Sequence, residues 1–99
     1  MTEKKGATGN REVALKNILN RKPGNNISMQ RARLLAAMRT RGYVTTFEAM
    51  RYLDVYDPRA RIHELRHRYC YPIETIMRIE QTESGVLHCV GVYVLRRRA

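Results

Sequence analysis

Asp57 to Tyr69, DPRARIHELRHRY, is the stretch that most constrains this chain, because its start and its end are both fixed by proline. Asp57 is suited to cap a helix, and Pro58 to be its first residue, where the missing amide costs no helical hydrogen bond. Pro72 cannot continue the helix and biases Tyr71 toward extended backbone. At about 100° per residue the pattern puts Pro58, Ile62, Leu65 and Tyr69 on one buried stripe. Ala60, His63, Glu64 and His67 then lie opposite, with Arg59, Arg61, Arg66 and Arg68 on the flanks. A helix anchored on one side and offering small, basic and imidazole groups on the other is what a DNA major groove admits.

The charge points the same way. A net +10 on 99 residues favours a polyanionic partner through counterion release and steering. All 4 lysines lie between Lys4 and Lys22, and every basic residue after Asn26, histidines aside, is an arginine. Arginine's planar fork suits phosphates and guanine edges, and equally suits buried pairs. With 43% hydrophobic residues, the chain has enough for one modest core. This divides it into a flexible basic arm, 1–26, and a folded domain, 27–99. No run approaches the roughly 20 apolar residues of a membrane span, and Lys4 and Lys5 are not followed by a hydrophobic segment. A cytoplasmic protein with no membrane partner is expected, so Cys70 and Cys89 are read as reduced packing residues.

In chain order, residues 1–10 have no apolar period and are expected to be disordered. Arg11 to Arg21 carries a weak helical pattern, and KPGNN at 22–26 has loop composition. Two readings of this arm stand side by side: a basic reach along DNA, and a solvated tail. Ser28 is the expected cap of a helix from Met29 to Arg41 that Gly42 ends, with Leu34, Leu35 and Met38 as its apolar stripe. Arg31, Arg33, Arg39 and Arg41 would project elsewhere. Tyr43 to Thr45 is a candidate short strand. Thr45 and Glu48 form a T-x-x-E capping box for a helix over about 46–53, with Phe47, Met50 and Leu53 inward. Beyond Pro72, alternation from Ile73 and a valine-rich run from Val86 to Leu95 flank the turn residues Thr82 to Gly85, predicting a hairpin. The second strand is apolar in both registers, which leaves its buried face open.

Residues 28–95 resemble a small helix-turn-helix domain of phage and prophage proteins, through SMQRARLLAAMRTRGYVTTFEAMRYL, ARIHELRHR and YPIET. The resemblance implies an α+β winged helix-turn-helix of three helices and a C-terminal β-hairpin that binds DNA. It places Arg61, Ile62, Leu65 and Arg66 in the family's recurring recognition-helix pattern. Cys70 departs from it, standing where such sequences place the glycine that ends the helix. A side chain in left-handed backbone costs about 1 kcal/mol.

Together these readings give double-stranded DNA as the partner, bound by a phage or prophage transcriptional regulator, with a homodimer or a cooperative oligomer on DNA as possible assemblies. Base contacts are expected from Arg59, Ala60, His63 and His67. Backbone contacts are expected from Thr46, Arg61, Arg66, Arg68, Arg78, Ser84, Arg96, Arg97 and Arg98, although Arg61 is also placed to pair with Glu64. An excisionase-like factor that bends DNA, or a basic RNA-binding module, are the alternatives. His63, His67 and Cys70, with His88 and Cys89, have some metal character but no paired C-x-x-C, so no metal or other cofactor is expected. The scattered carboxylates form no catalytic set, and an enzyme is not expected.

Overall fold

The structure, a computed structural model, describes residues 3–97, with side chains from Asn10 to Arg97. The expected contact from Arg98 lies outside the described residues. Four helices, α1 (Glu3–Arg21), α2 (Ile27–Arg41), α3 (Thr46–Tyr52) and α4 (Pro58–His67), surround one end of a sheet. The sheet contains β1 (Val44–Thr45), β2 (Ile73–Gln81) and β3 (Leu87–Leu95) in the order β1-β3-β2, antiparallel throughout.

The short strand expected at 43–45 exists as β1, with Val44 opposite Tyr93 and Thr45 opposite Val92. β3 is therefore the central strand, and it is buried on both faces where Val92 and Tyr93, pointing to opposite sides, are covered, while its start from Leu87 to Cys89 stays exposed. The core gathers Leu34, Ala37 and Met38 from α2, Ala49 and Leu53 around α3, Ile62 and Leu65 from α4, and Val44, Ile73 and Tyr93 from the sheet. Each large side chain buried there contributes about 1.5–3 kcal/mol.

The N-terminal region differs from the expected flexible arm. A helix starts at Glu3, inside the segment expected to be disordered, and Leu15 and Ile18 of α1 are buried in the common core. Arg11 fixes α1 further, donating to Glu48 on α3 and to the carbonyl of Tyr43. The apolar pattern looked weak because the interface uses few residues, Leu15 and Ile18 three apart, and draws the rest of its affinity from one guanidinium. Domain and arm therefore share a core.

Arg33 was expected to project away from the apolar stripe of α2, yet its side chain is fully buried. Its guanidinium donates to the carbonyls of Leu53 (2.6 Å), Lys22 (2.7 Å), Gly24 (2.8 Å) and Asp54 (3.3 Å). The 22–26 segment is thereby stapled to α2. Burial lowers the pKa of Arg33, against the pull of Asp54, but a guanidinium keeps its charge in proteins. The α2 cap is Asn26, whose side chain accepts from the Met29 amide at 2.8 Å, where Ser28 was expected. Gly42 ends α2 at φ 88°, a left-handed conformation that glycine adopts without strain.

Candidate nucleic-acid interface

The capping box of α3 forms as expected: Thr45 Oγ1 accepts the Glu48 amide at 3.0 Å and Glu48 Oε1 accepts the Thr45 amide at 3.1 Å. This fixes where α3 starts. The turn to α4 passes through Asp54, at φ 53°, under the Arg33 guanidinium that holds the Leu53 and Asp54 carbonyls. Asp57 then caps α4, its Oδ1 accepting the Ala60 amide at 3.3 Å, and Pro58 opens the helix.

Pro58, Ile62 and Leu65 are the buried stripe of α4, while Tyr69 falls past the helix end and is 44% exposed. The helix stops at His67 because Cys70 adopts φ 58°, so this side chain occupies the left-handed position expected of glycine. The amide of Tyr71 then returns to the Leu65 carbonyl at 2.9 Å.

On the opposite side, Arg59, His63 and His67 are exposed and, spaced four apart, form one stripe. The two imidazole rings stand 4.4 Å apart. Among the described residues, no hydrogen bond or ion pair takes up the Arg59 guanidinium. Ala60 sits at the edge of this stripe, half-buried.

Several expected phosphate contacts are occupied within the chain. Arg61 makes a two-pronged pair with Glu64, both hydrogen bonds at 2.9 Å, and Arg31 of α2 donates to the same carboxylate at 2.9 Å. Those arginines, Arg61 first, hold the Glu64 carboxyl below its ordinary pKa. Arg66 donates to the Ile73 carbonyl (2.9 Å) and to Thr75 Oγ1 (2.8 Å), Arg78 pairs with Glu80, and Arg96 with Glu74. The Thr46 hydroxyl meets the Tyr93 hydroxyl at 2.9 Å. Ser84 lies at the hairpin tip with its hydroxyl on Thr82, whereas Arg68 and Arg97 are exposed without an acidic partner among the described residues.

Between α3, α4 and the hairpin runs a cleft of about 720 Å³. Arg59 and His63 face it from α4, Met77 from β2, and Phe47 and Met50 from α3. The last two were expected inward but are 44% and 52% exposed. The inward position of α3 is taken by Ala49, the smallest side chain on the helix, which lets the backbone approach the core closely. A small residue at that position is the signal that hydrophobicity alone misses. Arg59 and His63 share this cleft with the hairpin residues Met77, His88 and Val90, while His67 lies outside it.

Two short helices joined at a turn, the second presenting a basic face and followed by a β-hairpin, define a winged helix-turn-helix protein. The chain belongs to the family described as Winged helix-turn-helix domain, whose model matches residues 29–98. No curated protein and no solved structure matches it at a significant level. In this fold α4 is the second helix of the helix-turn-helix and the β2–β3 hairpin is the wing, and DNA binding is the activity that membership suggests. Among the described residues no helix is long and apolar enough to cross a membrane.

Proposed function

We propose that this protein binds double-stranded DNA sequence-specifically as a transcriptional regulator of phage or prophage type, with α4 in the major groove and the wing at the backbone or minor groove. The observation that carries the reading is the Arg59–His63–His67 stripe, exposed on a helix whose opposite side is anchored by Pro58, Ile62 and Leu65. These donors are uncommitted and held by a rigid scaffold, as base readout requires. Ala60 leaves room beside them for a base edge. Arg68 and Arg97 supply phosphate contacts. Arg61, Arg66, Arg78 and Arg96, engaged with acceptors of their own chain, add to the positive field and reach phosphates only by exchanging those partners.

A second reading, an architectural factor that bends DNA, is favoured by Val86 and Leu87 near the wing tip. They are 53% and 65% exposed, and apolar wedges of this kind open base steps from the minor groove. Selecting bound duplexes from a random DNA pool tests both. A palindromic motif supports the regulator, and direct repeats support the architectural factor. Absence of affinity for duplex DNA at low salt overturns both.

A further inference from the structure

The wing has an edge that is open in backbone hydrogen bonding. In the sheet order β1-β3-β2, β2 is outermost, and its nine residues pair with β3 without a bulge. The Arg96 amide donates to the Pro72 carbonyl at 2.8 Å and the Thr82 amide to the Val86 carbonyl at 3.0 Å. In this register the even-numbered residues of β2 turn their backbone groups toward β3, and Thr75, Met77 and Ile79 turn theirs outward. Ile76, Met77 and Ile79 are 41%, 59% and 62% exposed. Neither lysine nor proline, which commonly protect such an edge, occurs in β2.

The charges on that strand are self-complementary. Glu74, Ile76, Arg78 and Glu80 share one face, reading negative, neutral, positive, negative. Antiparallel pairing of two β2 strands through their outward groups requires odd-numbered residues to oppose odd-numbered ones. Centred on Met77, such a pair sets Glu74 against Glu80, and centred on Arg78 it sets that arginine against itself. Centred on Ile79 it runs into the turn beyond Gln81. Centred on Ile76, it sets Glu74 against Arg78 of the second copy, twice by symmetry, with Ile76 meeting its own counterpart. Within each copy Arg96 already bonds Glu74 at 2.6 Å and Arg78 bonds Glu80 at 2.9 Å, so the charges would alternate across the junction. Arg66 holds the Ile73 carbonyl, which confines the firm pairing to Glu74 through Arg78.

We propose that two copies of this chain associate through β2, antiparallel and centred on Ile76, into one continuous six-stranded sheet. The pairing requires no DNA, so its test stands apart from that of the proposed function. Sedimentation equilibrium of the full chain, without DNA, should show twice the 11.6 kDa protomer mass as concentration rises. Glu74→Arg and Arg78→Glu should each weaken the dimer by at least about tenfold, since each turns both cross-strand pairs into repulsions. The double swap should restore it. In a Cys70→Ser/Cys89→Ser background, Ile76→Cys should oxidise to a linked dimer, its Cα atoms about 4.5 Å apart across a non-hydrogen-bonded pair, and Arg78→Cys should not. Met77→Pro removes an outward amide while sparing the bonds to β3, and should leave a folded monomer by circular dichroism. A monomeric mass at every concentration, or single swaps without effect, overturns the proposal. A double swap that fails to restore the dimer overturns its register.

Discussion

Arg11 on α1 and Glu48 on α3 are joined by two parallel hydrogen bonds, Nε to Oε2 at 2.7 Å and Nη2 to Oε1 at 2.9 Å. The same carboxylate closes the α3 capping box on the Thr45 amide, so one side chain both starts the first helix of the helix-turn-helix and docks the N-terminal helix. Both partners are largely buried, at 20% and 17% side-chain exposure, which makes the pair worth more than a surface ion pair. Arg11→Ala should lower the unfolding free energy by about 1–3 kcal/mol, because it leaves a partly buried carboxylate short of its partner. Urea denaturation measures this. A variant as stable as the parent would mean that Leu15 and Ile18 alone hold α1.

Acid should unfold the protein partly through this carboxylate. Burial pushes the Glu48 carboxyl up, but the Arg11 guanidinium and the Thr45 amide together outweigh it, and the net shift is downward. Glu64, held by Arg61 and Arg31, is also lowered. A carboxyl whose folded pKa lies below its unfolded value stabilises the fold above the unfolded value, about 4.3 for glutamate, and loses that contribution as pH falls through the folded one. Unfolding free energy should therefore fall as pH drops below about 4, and fall less steeply in Arg11→Ala. Equal slopes in the two proteins would remove Glu48 from the account.

Arg33 gives the sharpest stability prediction. Replacing it with leucine fills the site with an apolar chain but leaves the Leu53, Lys22, Gly24 and Asp54 carbonyls without their shared donor. A loss of about 3–5 kcal/mol is expected, with Arg33→Lys only partly better because a single ammonium cannot reach four diverging acceptors. Thermal unfolding checks it. Near-native stability in Arg33→Leu would show that the carbonyls find water instead.

Helices α2 to α4, the turns and the hairpin were legible because each is fixed by local chemistry: Asp57 and Pro58 start α4, Thr45 and Glu48 start α3, and Gly42 ends α2. The exposure of these side chains was legible because helical periodicity places His63 and His67 opposite Ile62 and Leu65, with Arg59 on the flank. What periodicity does not carry is the partner of a charged side chain. Arg33 reads as a surface group, and only the assembled fold brings four carbonyls to it; the Arg61–Glu64 pair is local and was legible, whereas Arg31 on the same carboxylate, 33 residues away, was not. The docking of α1 was hidden for the same reason, since Arg11 and Glu48 lie 37 residues apart. Phe47 and Met50 misled because hydrophobic character was equated with burial, whereas the cleft beside the wing leaves them open.

The division of labour among the arginines can be measured directly. Arg59 faces the cleft from α4 with no acceptor among the described residues, so if α4 reads bases as proposed, Arg59→Ala should cost about 1–3 kcal/mol of DNA affinity and relax preference at one position of the site. Arg97 is exposed in the middle of the arginine run at 96–98, so Arg97→Ala should weaken all sequences alike and reduce the slope of affinity against salt by about one. Arg61, committed to Glu64, should behave unlike either: Arg61→Ala should lower stability while leaving sequence preference intact. Binding titrations on a selected and a scrambled duplex at several salt concentrations separate the three. If Arg59→Ala and Arg97→Ala shift both duplexes equally, α4 is not the element that reads the bases.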